Sequence, residues 1–442
     1  MKFLNTIQKI SLTLTFLGLL QLSTNGQNST RSPFSSYGIG DLESTGLAFN
    51  TSMGDAKFAI ADPYQINISN PASYSFVKLP IFNVGVNYNF LQINQVNSTQ
   101  NGNIGYLKNI SLAFPVTKWW GFSFGMVPQS RMGYRFKTSE NVSGFGDVNY
   151  IYQGEGGINK AYLGNGFSVI NDTIQTLSVG FNASYVFGNI NRQKRVEPQD
   201  IDGAFSTYHS DQLKISDFNF DFGLLYKRKF SKNLSGSLGA FYSLGDSARA
   251  YRNEYAYTYR STNFNDIIED TIFSRSDTGN FYIPQTLGLG FTVQLNKRQD
   301  KYNKQYLLAV DYSRTDWSKA SLFGNNIGLA MRDQLSVGFQ YIPDAKAYKN
   351  VQKMINYRAG FRYTNTHLIV NDQNIAEYGI SFGIGIPIIS AGKGTMFNVG
   401  LEAGRRGDKN VTPIYEQFTT IHVGLSLTPS KFDRWFYKSK ID

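Results

Sequence analysis

The stretch FNVGVNYNF, residues 82–90, sets Phe82, Val84, Val86, Tyr88 and Phe90 on one side of a strand and Asn83, Gly85, Asn87 and Asn89 on the other. The same alternation recurs in LSVGFNASYVF (177–187), LGLGFTVQL (287–295), LSVGFQY (335–341), YRAGFRY (357–363), GISFGIGIPII (379–389), FNVGLEA (397–403) and IHVGLSL (421–427). One face is apolar throughout, and the other is mostly Gly, Ser, Asn, Gln, Thr or Arg. A soluble sandwich turns such an apolar face to a core, whereas a membrane barrel turns it to lipid and the polar face to a lumen. Each segment extends to roughly ten residues, enough for a tilted strand to cross a bilayer. So many segments of this length, with small residues on the polar face, predict an all-β transmembrane antiparallel barrel.

Fourteen segments can be placed: 79–91, 105–116, 119–136, 160–169, 175–190, 212–228, 234–250, 281–297, 304–316, 331–343, 354–365, 377–389, 395–406 and 416–428. Long connections (92–104, 137–159, 191–211, 251–280, 317–330) alternate with short ones (117–118, 170–174, 229–233, 298–303, 390–394), and the contrast fades toward the end of the chain. Bacterial outer-membrane barrels combine an even strand number with short periplasmic turns and longer outer loops. DVNYIYQG (147–154) would make the count odd as a separate strand, so it is assigned to an outer loop. Trp119, Trp120, Tyr134 and Tyr341 fall near strand ends, where aromatic girdles form.

Composition removes several chemistries. There is no Cys, which excludes disulfides, thiolate metal sites, a Cys nucleophile and a lipid-modified N-terminal Cys. His209, His367 and His422 lie far apart in sequence, and no metal or cofactor site is expected. Lys2 and Lys9 precede the apolar run Ile10–Leu20, with Thr24 and Gly26 after it, which reads as a signal peptide over 1–26. The exported chain remains basic, with its charges scattered. Contact with anionic lipid fits that pattern better than nucleic acid does.

Residues 27–78 do not alternate and are rich in Gly, Ser, Asn and Pro. They form either a periplasmic tail or a plug in a lumen too wide to leave open. GLAFNTSMGDAKFAIADPYQINISNPASYS (46–75) resembles the N-terminal hatch of FadL/TodX-type outer-membrane transporters, in which a small-residue run leads to Asn-Pro-Ala, here Asn70, Pro71 and Ala72. The resemblance implies a fourteen-stranded barrel (79–429) plugged by the hatch, with passive uptake of long-chain fatty acids or other hydrophobic molecules and lateral exit through the wall. It also places the Asn-Pro-Ala turn against an inward kink in the third strand. Pro128 lies in mid-run of that strand and lacks the donor a ladder needs. The chain departs from the family pattern in its basic, aromatic tail, 430–442, which fits the periplasmic membrane surface or a protein partner.

GFSFG (121–125) and GISFG (379–383) fit Gly-x-Ser-x-Gly, but both sit in alternating strands with no following helix, so Ser123 and Ser381 read as lumen fillers. His422 reads as a lumen residue, and SAGKGT (390–395) as a turn rather than a phosphate loop. No catalytic residue is expected. For ligand handling, Arg358 and Arg362 stand on the polar face of YRAGFRY, and Arg131 and Arg135 follow the Pro128 break. Each is able to meet a carboxylate, whether from a fatty acid or from hatch acids such as Asp41, Asp55 or Asp62.

The expectation is thus a plugged barrel in the outer membrane of a Gram-negative bacterium, not an enzyme. It would handle hydrophobic small molecules amid outer-membrane lipid, with Asn70, Pro71 and Ala72 at the gate. The competing expectation is a non-transporting scaffold, or a partner of a protein export (type IX-like) or surface-attachment system, with its protein partner at the outer loops or the tail.

Overall fold

The computed structural model describes residues 32–95, 98–144, 146–201, 204–261, 266–299, 302–347, 350–388, 394–408 and 414–429. The expected signal peptide, the tail 430–442 and residues 390–393 of the SAGKGT turn lie outside them.

Fourteen antiparallel strands succeed one another around a closed sheet. They are β1 (Ile81–Gln95), β2 (Thr99–Pro115), β3 (Trp120–Val142), β4 (Gly146–Asn171), β5 (Gln175–Pro198), β6 (Ser206–Lys229) and β7 (Leu234–Ser243), then β8 (Thr286–Gln299), β9 (Tyr302–Asp316), β10 (Met331–Ile342), β11 (Asn356–Val370), β12 (Gln373–Pro387), β13 (Met396–Arg406) and β14 (Ile414–Leu427). The ring closes where β14 pairs with β1, from Ile414 opposite Gln95 to Leu427 opposite Phe82. All fourteen expected segments fall on these strands, in order.

The alternation sorts as a lipid-facing wall requires. On β1, Val86, Tyr88 and Phe90 are exposed on the outside while Asn83 and Asn87 are buried inside. The inner amides join neighbouring strands: Asn83 donates to Ser426 at 2.7 Å, and Asn109 donates to Asn83 at 2.6 Å. Trp119 and Trp120 stack with each other near the short-turn end, and Tyr341 stacks on Tyr306. Tyr134 departs from the girdle expectation. It is buried in an apolar cluster with Ile39, Met132 and Ile158.

The expected long outer loops are largely strand. β3 to β6 run for 23, 26, 24 and 24 residues, about twice what a tilted crossing needs. β7 continues, after Leu244–Gly245, into Asp246–Ser261. That strand pairs with Asp266–Ile283, which leads through Pro284–Gln285 into β8. These six segments form a wall rising beyond the lipid band on one side. DVNYIYQG is therefore the outer end of β4, with Tyr150 opposite Thr138 on β3 and Val196 on β5, and the count stays fourteen. Residues 317–330 remain a loop. It folds over the mouth, with Leu322 opposite Phe281 of the wall and Trp317 packed against His367.

Residues 32–78, the segment expected to plug the lumen, pack against the inner face of the wall. Leu47, Phe49, Met53, Ile60, Ile66 and Tyr74 form its core against the inner wall. Its backbone donors find wall acceptors: Lys57 and Phe58 N–H both reach the Asp311 carboxylate, and Gly54 N–H reaches Ser381 Oγ at 2.9 Å. Buried backbone groups must be paired somewhere, and here the wall side chains do it.

Candidate functional site: a wall gap sealed by the plug

The ladder between β2 and β3 is short. It runs from Pro115 opposite Gly121 to Ile110 opposite Met126 and stops there. Pro128 stands two residues further along β3, buried and without a backbone donor. Its pairing with β4 is bulged between Pro128 and Ser130. Beyond Met126, β2 stays with β1 and β3 stays with β4, so a gap separates them. Asn103 of β2 lies opposite Phe90 of β1, at the upper limit of the exposed row Val86–Tyr88–Phe90. The gap therefore begins inside the lipid-facing band.

The plug occupies part of the vacated edge. Asp41–Leu42 lies antiparallel to β3, with Asp41 opposite Arg131 and Leu42 opposite Ser130. Glu43 N–H donates to the Gln129 carbonyl at 2.9 Å, and Ser130 Oγ donates to the Ile39 carbonyl at 2.8 Å. The Glu43 carboxylate then ties both lips of the gap together. It accepts from Lys108 Nζ on β2 at 2.8 Å, from Arg131 Nε on β3 at 3.1 Å, and from the Tyr106 hydroxyl at 3.1 Å. Burial alone pushes the Glu43 carboxyl up, but Lys108 and Arg131 outweigh it and hold the group at about 2.

Further inside, the plug is fastened by a charged network. Asp41 accepts from Arg406 Nη1 at 2.7 Å, and Arg406 also holds Glu377. Arg362 binds Glu377 and Glu402, each at 2.7 Å. These groups surround a polar chamber of about 130 Å³. A second cavity, of about 870 Å³, adjoins the gap. Phe34, Tyr37, Ile93, Tyr134, Phe136 and Val370 line it, with Arg135 and Lys137 on its β3 side. Its size suits a small hydrophobic ligand.

The other sequence-selected residues separate in space. Asn70 caps the 3₁₀ turn Pro71–Phe76, accepting from Ala72 N–H at 3.1 Å and donating to the Phe58 carbonyl at 2.6 Å and the Leu224 carbonyl at 3.1 Å. The Asn-Pro-Ala turn thus seats on β4, β5 and β6, not on the third-strand kink. Glycines make the seat: a Cβ on Gly223 would lie 2.1 Å from Asn70 Oδ1, and one on Gly180 would lie 2.4 Å from the Pro71 carbonyl carbon. At the kink the plug contributes Asp41–Glu43 instead. Arg131 meets a plug acid, but that acid is Glu43; Asp41 goes to Arg406. Arg135 is exposed at the larger cavity. Arg358 is buried and donates to Gln340 and Asn398, both at 2.7 Å. Ser123 shares a hydrogen bond with the Tyr162 hydroxyl at 3.1 Å, and His422 meets Asn87 at 2.9 Å.

Sequence reasoning missed Glu43, Lys108, Glu377, Glu402 and Arg406. A polar residue on the inward face of an alternating strand was the one available signal, and it does not name a partner.

Comparison with known proteins supplies a family and a fold. A family model described as BamG matches residues 6–442. No curated protein matches the chain. Among solved structures, a Pseudomonas aeruginosa FadL homologue superposes with a TM-score of 0.57 at 14% identity, covering 88% of this chain and 99% of that one. The Pseudomonas putida toluene transporter TodX gives 0.55 at 16% identity, covering 88% and 98%. The monoaromatic hydrocarbon channel CymD gives 0.50 at 12%, covering 89% and 99%. At these identities the likeness shows a shared fold, that of FadL-type outer-membrane barrels.

Proposed function

The chain belongs to the BamG family, and we propose that it works as a Gram-negative outer-membrane barrel admitting hydrophobic compounds from outside and releasing them sideways. A long-chain fatty acid or a monoaromatic hydrocarbon enters the cavity between Phe34, Tyr37 and Phe136. A carboxylate, where the ligand has one, faces Arg135 or Lys137. Withdrawal of Asp41–Glu43 from β3 then opens a path between β2 and β3 into the bilayer. The polar chamber around Arg362 and Arg406 is hostile to an apolar ligand, which directs it to the wall rather than down the axis. Supporting this reading above all is the coincidence of the interrupted β2–β3 ladder with the adjoining apolar cavity.

The test is binding of a fluorescent fatty acid to the purified barrel, with Phe136→Asp beside wild type. Placing a carboxylate in the cavity should weaken binding by about tenfold or more. Unchanged binding would contradict the cavity as the entry site.

A second reading is favoured by the filled lumen: the protein acts as a partner in an envelope assembly or export system, presenting the tall outer wall. Crosslinking in intact cells distinguishes it, because a partner role requires a stoichiometric protein adduct whether or not hydrophobic ligand is present.

A further inference from the structure

The two ends of the barrel handle charge differently. At the outer end several cations are paired, Arg249 with Asp217 at 3.3 Å, Arg260 with Glu269 at 3.3 Å and Arg314 with Asp333 at 2.7 Å, while Arg135 and Lys137 border the larger cavity. The short-turn end, which faces the periplasm in an outer-membrane barrel, lacks such pairs. Lys118 stands in the turn after β2, and Arg228, Lys229 and Lys232 flank the turn after β6. Lys297 and Arg298 stand near the end of β8, and Lys346 lies in the turn after β10. All seven are exposed, and none is in an ion pair among the described residues. The exposed carboxylate in these turns, Asp172, accepts from the backbone N–H groups of Ile174 and Gln175, both at 2.7 Å. Asp344 likewise accepts from the backbone of Asn303 and Lys346. Both are committed to turn formation.

The depth of these cations identifies their partner. Phe230 is 62% exposed beside Lys229, Ile174 is 58% exposed in the neighbouring turn, and Trp119 is 52% exposed beside Lys118. Trp120 stacks on Phe167, and Trp119 packs against the same ring at a tilt. Aromatic rings and long basic side chains at one level are the pattern of a bilayer interface, where the rings sit among headgroups and the amines reach phosphate. The cations are also spread over turns around the circumference, which suits a ring of lipids better than one protein footprint. We propose that the periplasmic rim is a collar for anionic phospholipid headgroups of the inner leaflet, with Arg228, Lys229, Lys232, Lys297 and Arg298 as its densest arc. This holds whether the barrel transports or serves as a partner.

The test uses the full chain in nanodiscs of phosphatidylcholine, with and without phosphatidylglycerol. Lipid retained through delipidation is counted by native mass spectrometry at low and high salt. Wild type should retain phosphatidylglycerol several-fold over phosphatidylcholine, with the preference falling as salt screens it. A variant carrying Arg228→Gln, Lys229→Gln, Lys232→Gln, Lys297→Gln and Arg298→Gln should lose the preference, while Arg249→Gln with Arg314→Gln at the outer end should keep it. Equal retention of both lipids by wild type overturns the proposal, even if the rim variant fails to fold. So does a rim variant with full preference, or salt-sensitive capture of an acidic periplasmic protein without any lipid preference.

Discussion

Glu43 of the plug and Arg131 of β3 meet at 3.1 Å on the lip of the wall gap, and the same carboxylate holds Lys108 of β2 at 2.8 Å. Removing that carboxylate leaves two buried cations without their shared partner, a loss that typically costs about 3–5 kcal/mol where a buried pair is broken from one side. Glu43→Gln should therefore loosen the seal while leaving the barrel folded. Because the chain has no native cysteine, Leu42→Cys reports cleanly. Its thiol labelling should accelerate by at least about tenfold in the Glu43→Gln background. An unchanged rate would mean that Glu43 does not hold the plug strand.

The same contact sets a pH dependence. The folded Glu43 carboxyl is depressed to about 2 from an ordinary 4.5. Its stabilising contribution is thus complete above about 4.5 and fades as the pH falls from there toward 2. Labelling at Leu42→Cys, corrected for thiol reactivity with a free peptide, should be flat from neutral pH down to about 5 and rise below it. A rise on going alkaline instead would reverse the sign and rule out Glu43 as the titrating group.

Seating of the Asn-Pro-Ala turn depends on missing side chains. Gly223→Val places carbon where Asn70 Oδ1 lies, and the plug must shift, at a cost of about 1–3 kcal/mol or more. Asn70→Ala removes the cap on Pro71–Phe76 and leaves the Phe58 and Leu224 carbonyls short of a donor, a loss of about 1–3 kcal/mol. Urea titration of both variants should show lowered plug stability, with heat-modifiable migration of the barrel retained. Variants as stable as wild type would show that the turn is not anchored there.

Strand identity was legible wherever a strand crosses lipid, because hydrocarbon on one side and a polar interior on the other enforce alternation. The outer wall was not. In the described parts of 191–211 and 251–280 neither face meets lipid, so Arg195, Tyr208 and Asp211 read as loop, and the alternating Tyr255, Tyr257 and Tyr259 stand among charged and polar residues rather than on an apolar face. Pro128 was legible as a pairing defect because the missing donor is a property of the residue itself. Glu43 was not, since Lys108 and Arg131 reach it only after closure brings together positions 65 and 88 residues away. Arg406 meets Asp41 across 365 residues for the same reason. A local likeness at Asn70–Ala72 pointed to the wrong contact at the kink, because the strand that pairs there, Asp41–Leu42, lies earlier in the chain.

Sideways release is tested most directly by locking the plug to the wall. Leu42 and Ser130 are directly opposed across an antiparallel pair, within disulfide reach, so Leu42→Cys with Ser130→Cys gives one bond that can be closed and reopened. In vesicles whose outer leaflet is lipopolysaccharide, uptake of a labelled fatty acid should be fast with the reduced protein. It should fall to the protein-free rate on oxidation and recover with reductant. Uptake that is the same locked or unlocked, or the same with and without the barrel, would contradict passage through the gap between β2 and β3.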